Sequence, residues 1–185
     1  MVEKEYLKID PTIVVWLANM TMIGSVAGFL LGGIAVDRFG TKNVFMSCHF
    51  AFAIVLFLFV LRGFSPIMLM PLLWTVHFVF GLVIASSSIA ITSEIIALMP
   101  EENQSFATAL LTSMLDAGMA ASGFLCAFVI KLDCLKETWN FGWMPMCNYD
   151  VLILGFAVMI FILVITLGLV PSVIKKAQCG PHSGY

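Results

Sequence analysis

Long apolar runs separated by short polar stretches make up most of the chain. Five runs stand out, at 12–36, 44–61, 67–98, 105–130 and 151–170. Each has, or nearly has, the ~20 residues a helix needs to cross the hydrocarbon core of a bilayer. The runs are apolar on all sides and lack the every-second-residue alternation of a membrane barrel strand. In lipid the backbone must bond to itself, so the pattern predicts helices. Asp10 followed by Pro11 is a good start for the first, an acceptor cap with proline in the first turn. Pro66 and Pro71 lie near the start of the third, and Pro171 stops the last. The predicted fold class is all-α: a polytopic membrane helix bundle with five transmembrane helices. Residues 1–11 precede the bundle, 12–171 form it and 172–185 are a tail.

The charges support this division. Of all Asp, Glu, Lys and Arg residues, only Glu94 and Asp116 fall inside the five runs. A charge at the bilayer centre costs at least a few kcal/mol, so such segregation is what insertion demands. The connections 37–43 and 62–66 are tight, and 99–104 carries Pro100, Glu101 and Glu102. The stretch 131–150 is long, with Trp139, Trp143 and Tyr149 placed as interface anchors. Basic residues do not orient the chain: Arg38, Lys42, Lys175 and Lys176 on one face oppose Lys4, Lys8, Arg62, Lys131 and Lys136 on the other.

Composition narrows the function classes. Of the 185 residues, 61% are hydrophobic and 11% charged, with a mean hydropathy of +1.05. A soluble domain carries about 25% charged residues. The lipid bilayer is therefore the expected first partner, and a net charge of −2 gives no reason to expect nucleic acid. Residues 1–8 mix acids and bases and do not read as a signal peptide. Cys134 and Cys147 share the long connection, where pairing and separate thiols both remain open. Cys48, Cys126 and Cys179 lack metal-ligand spacing, and no phosphate-cradling loop is present, so no metal or cofactor is expected.

Gly24, Gly28 and Gly32 recur every four residues and so share one face of the first helix. Gly118 and Ser122 have the same spacing in the fourth. Small residues on one face let helix backbones approach closely in lipid. Static packing and a sliding contact between two halves of a machine both use that geometry.

The first connection reads Gly33-Ile34-Ala35-Val36-Asp37-Arg38-Phe39-Gly40-Thr41-Lys42. It resembles the signature loop of the major facilitator superfamily: a glycine, three residues, Asp-Arg, any residue, Gly, then two basic positions. Gly33, Asp37, Arg38, Gly40 and Lys42 match. Thr41 stands where the family has a basic residue, and Ala35 where it has Leu. This weaker form resembles the family's second copy of the loop, between helices eight and nine. The resemblance covers nearly the whole chain and implies helices eight to twelve of a twelve-helix transporter, an incomplete major-facilitator half; helices two to six are the runner-up. It also implies an orientation, with 37–43, 99–104 and the tail cytoplasmic, and 1–10, 62–66 and 131–150 external.

Among candidate working residues, Asp116 comes first. It falls at the middle of the fourth run, where transporters bind substrates and coupling ions. Such a carboxylate carries a proton or meets a cationic substrate; the plain alternative is a hydrogen-bonded structural acid. Thr112 and Ser113, one turn back, are positioned to bond it. His77 in the third run is either a substrate or proton-pathway group or a structural histidine. Ser86, Ser87, Ser88, Thr92 and Ser93 line a polar path or bond back to their own helix. Trp74 gates or anchors the outer side. Glu94 reads as a solvated or paired acid, with a gate contact as the alternative. His49 and Asn19 read as helix–helix hydrogen-bonding residues.

The leading expectation is a secondary transporter of the cell membrane (plasma or bacterial inner), moving a small solute by alternating access, driven by a proton or ion gradient or by the substrate's own. Five helices cannot enclose a cavity between two halves. The missing N-terminal helices or a partner chain are therefore expected, and the competing reading is a transport-incompetent fragment or a small assembly protein. Nothing favours an intramembrane enzyme: Asp116, His77 and Glu94 sit at three depths with no nucleophile–base pair among them.

Overall fold

The structure is a computed structural model and describes residues 7–61, 66–98, 103–131, 138–141 and 144–169. It contains five long helices: α1 (Pro11–Phe39), α2 (Thr41–Val60), α3 (Pro66–Leu98), α4 (Gln104–Lys131) and α5 (Asn148–Leu169). All five are long and apolar enough to cross a membrane. The all-α bundle and its five spans follow the sequence pattern, with helix ends displaced by a few residues.

Local chemistry explains the ends. The Asp10 carboxylate accepts from the Thr12 backbone N–H at 2.7 Å, with Pro11 in the first turn of α1. Hydrogen bonding from Thr12, its side chain first and this backbone N–H second, favours the charged form and holds the Asp10 carboxyl below its usual range. At the other end, the Gly40 N–H closes on the Val36 carbonyl at 2.9 Å. Gly40 has φ 84° and ψ 153°, a region open in practice only to glycine. Asp37 and Arg38 thus belong to the last turn of α1, Thr41 already opens α2, and the expected connection 37–43 contracts to Gly40 alone.

One feature of the connection 131–150 was not expected. It holds a two-stranded antiparallel hairpin, β1 (Thr138–Phe141) and β2 (Met144–Cys147), with Thr138 opposite Cys147 and Phe141 opposite Met144. β2 runs directly into α5. Asp150, in the first turn of α5, accepts from the Cys147 backbone N–H at 2.9 Å. This is the acidic half of a capping box. Cys134, Trp143 and the tail 172–185 lie outside the described residues.

α1 and α3 are the most closely packed pair. Gly24 meets Phe78, Gly28 meets Leu82 and Gly32 meets Ser86, so residue numbers rise together and the helices run parallel. α2 returns antiparallel to α3, with Phe52 against Phe80 and Phe59 against His77. α5 packs antiparallel on α2, with Phe50 edge-on to Phe161 and Met46 reaching Gly168. α4 touches this group only weakly, at α3. The core is correspondingly thin. One cluster joins Val44, Cys48, Val83 and Ala90, and another joins Ile9, Leu17 and Leu73 with Trp74 packed against them. Large apolar side chains such as Phe29, Phe57, Phe124 and Met159 face outward. Soluble monomers rarely expose apolar patches beyond a few hundred Å², whereas lipid welcomes them. The fold is an all-α bundle whose five long helices have the length and the apolar outer surface that a membrane span needs.

Candidate functional site

The seam between α1 and α3 is the most constrained part of the molecule. A Cβ on Gly24 would overlap the Phe78 carbonyl, and one on Gly28 would overlap that of Leu82. On Gly32 it would lie 2.7 Å from Ser86 Cα. The stripe is answered from α3 by Gly81, whose absent side chain leaves room for the Thr21 carbonyl. Two hydroxyls cross the seam in opposite senses. Ser86 donates to the Gly28 carbonyl at 3.0 Å, and the Ser25 hydroxyl shares its hydrogen between the Thr21 carbonyl of its own helix at 3.0 Å and the Gly81 carbonyl at 3.3 Å. Gly81 and Ser25 did not stand out in the sequence, because a single glycine has no stripe. Ser86 is buried and reaches across to α1.

Gly118 and Ser122, the expected second packing pair, meet no neighbouring helix among the described residues. A Cβ on Gly118 would find nothing within 4 Å, and the Ser122 hydroxyl bonds back to Met119 at 2.8 Å. The reason is the position of α4, whose span Thr108–Lys131 has no buried residue.

Asp116 shares that exposure. The expected support from its neighbours is not formed. Thr112 donates to the Thr108 carbonyl and Ser113 to the Ala109 carbonyl, each at 2.9 Å. A hydroxyl in apolar surroundings satisfies itself on the preceding turn, which uses the hydrogen that Asp116 would need.

The loop residues Gly33, Asp37, Arg38, Gly40 and Lys42 gather at one end of α1 and α2. Gly33 has open space beside it, and Asp37 and Arg38 are exposed, with the Arg38 guanidinium 5.6 Å from the Phe39 ring centre. Thr41, the departure from the family pattern, donates to the carboxylate of Glu94 near the end of α3. Glu94 is thus a paired acid that ties α2 to α3. Beside this end, a trough of about 530 Å³ between α1, α2 and α3 is lined by Gly32, Ala35, Asn43, Ser47 and Ser86, among others.

His77 occupies a different compartment. It lines a half-open pocket of about 250 Å³ between α1, α2, α3 and α5, with Thr21, Phe59, Phe80 and Ile153 around it. No residue of α4 lines this pocket. The His77 Nδ1 lies 2.8 Å from the Leu73 carbonyl, an acceptor, so Nδ1 carries the hydrogen. His49 makes the same bond within its own helix, to Phe45 at 2.9 Å, rather than one between helices. Asn19 is exposed.

Among the described residues, no cluster of His, Cys, Asp and Glu is suited to hold a metal ion. Asp116, His77 and Glu94 lie apart: on exposed α4, in the half-open pocket between α1, α2, α3 and α5, and at the loop end of the α2–α3 contact. Compared with known protein families, curated proteins and solved structures, the chain matches none.

Proposed function

We infer that the chain is the C-terminal part of a secondary transporter of the major-facilitator type. It would reside in the plasma or bacterial inner membrane and move a small solute by alternating access. The observation that carries this reading is the linkage at 33–42. Its Asp-Arg pair closes one apolar helix, a glycine with positive φ makes the whole turn, and the next apolar helix starts at once. Such a joint holds two spans at a fixed angle at the water interface, as a rocking half requires. The parallel α1–α3 seam supports the reading, because interlocked backbones move as one body.

Asp116 is the group assigned to coupling or to a cationic substrate. It sits exposed at the middle of α4, which has weak contact with α3, and an uncovered midplane carboxylate costs at least ~2.5 kcal/mol in lipid. α4 therefore calls for further helices, supplied by the upstream part of the same protein or by a partner. That same bare face favours the second reading, a transport-incompetent fragment or assembly protein that docks through α4.

The test is solute uptake by the full-length protein, with and without a pH gradient, for wild type and Asp116→Asn. The expected result is loss of gradient-driven uptake with normal membrane abundance. Unchanged rate and unchanged pH dependence would remove Asp116 from the mechanism. The reading frame upstream of codon 1 separates the two readings: further spans support the first, and their absence the second.

A further inference from the structure

One side of α1 is locked onto α3 through Gly24, Gly28 and Gly32, and the opposite side is bare. Trp16, Asn19, Ile23, Val26 and Leu30 lie along that bare side, all exposed. At about 100° per residue, Asn19 stands about 180° from Gly28. The steps between the five residues alternate between three and four, the spacing of a coiled-coil seam. Asn19 brings the one amide side chain of the five. With α1 centred in the bilayer, its 29 residues put Asn19 about 9 Å from the midplane, inside a half-core of about 15 Å. The side chain is too short to reach water from there, and it forms no hydrogen bond with the described residues. An amide left so in hydrocarbon is costly until another helix answers it.

We propose that this face of α1 is a dimer interface whose occupant is the same face of a second copy of the chain. The amide is its own complement. Its carbonyl accepts and its NH2 donates, so two asparagines satisfy each other through a pair of hydrogen bonds. Two copies inserted in the same orientation are related by a two-fold axis along the membrane normal. That symmetry makes the patch self-complementary and sets each residue against its equivalent at equal depth. Asn19 therefore meets Asn19 with no further condition, whereas any other helix would need a polar group of its own at that depth. Around the amides, Trp16, Ile23, Val26 and Leu30 interdigitate at the small crossing angle this spacing favours. A single asparagine in an apolar seam also fixes the register, because a slip of one turn leaves both amides unanswered. The contact leaves the glycine seam, α4 and Asp116 untouched, so it stands apart from the transport reading.

The test uses the 185-residue chain in liposomes, with donor and acceptor fluorescent proteins fused to its N-terminus. Energy transfer is followed as added lipid dilutes the protein, and the expected curve is that of a monomer–dimer equilibrium with a defined midpoint. Asn19→Leu should move that midpoint to about tenfold higher protein density, the worth of two interhelical hydrogen bonds. Asn19→Gln, which returns the amide, should restore most of the association. Leu at an exposed, lipid-facing site leaves the fold intact, as helical circular dichroism checks. A second readout keeps Asn19 in place. p-Benzoylphenylalanine at Ile23 or Val26 should photo-cross-link two copies, and at Leu31, similarly exposed but about 120° round the helix from Asn19, should not. Transfer at the random-encounter level at every density would overturn the proposal. So would an Asn19→Leu curve equal to that of the unmodified chain, or cross-linking as strong from Leu31. The same holds if, in cell membranes, Val26 cross-links to another protein and never to a second copy.

Discussion

At Gly28 and Gly81 one methyl group decides whether two helices meet. Each faces a backbone carbonyl of the other helix at a separation that excludes a Cβ. Substituting either with Leu should force α1 from α3 and destabilise the fold by several kcal/mol, beyond the ~1–3 kcal/mol of ordinary overpacking, because backbone rather than side chain must yield. Gly33 and Gly118 are the controls. With nothing near them, Ala at either site should be neutral or gain up to about 1 kcal/mol of helix propensity. Thermal unfolding in a mild detergent separates the four variants. Ser86→Ala removes a cross-helix bond and should cost about 0.6 kcal/mol, the average for such bonds in membrane bundles, whereas Ser25→Ala, whose hydroxyl also bonds Thr21 in its own helix, should cost less. The stripe on α1 was legible because three glycines at one spacing are improbable by accident. Its partners were not, because a lone Gly81 and one serine among several say nothing until the helices are docked.

At the scale of elements, the helices were readable and the hairpin was not. A span announces itself by twenty apolar residues and excluded charge, and a capped start such as Asp10-Pro11 sharpens its edge. Strands of four residues give no period to detect, so 138–147 read as connection. The junction of β2 with α5 carries its own prediction. Burial first, and then the hydrogen bond from Cys147 Sγ to Asp150 Oδ2 at 3.3 Å, push the Cys147 thiol pKa up. A folded-state pKa raised above the unfolded value of about 8.5 stabilises the fold fully below that pH and loses the effect as pH rises through the folded value. Maleimide labelling of Cys147 should therefore be slow at pH 7 and rise only above the ordinary thiol range. Asp150→Asn should speed it at every pH while keeping the bond to the Cys147 N–H. Asp150→Ala loses that cap as well and should cost about 0.5–2 kcal/mol.

At the scale of the whole molecule, four helices form a packed body and the fifth stands nearly alone. α1, α2, α3 and α5 share the glycine seam, the Thr41–Glu94 tie and the His77 pocket, whereas α4 has weak contact with α3. Hydropathy could not reveal this, since it measures whether a helix tolerates lipid and not whether another helix covers it. Asp116 turns the difference into a measurement. In the 185-residue chain expressed by itself, α4 meets the bilayer with its carboxylate uncovered, so Asp116→Leu should favour insertion of α4 by about 3–4 kcal/mol, read from glycosylation tags on either side of it. With covering helices supplied, the carboxylate gains partners and the advantage of Leu should shrink or reverse. A substitution without effect in the chain alone would mean that Asp116 already has a neighbour, and α4 would need no further helices. An advantage of equal size in both settings would mean that the added helices do not cover Asp116, and the transporter reading would lose its midplane group.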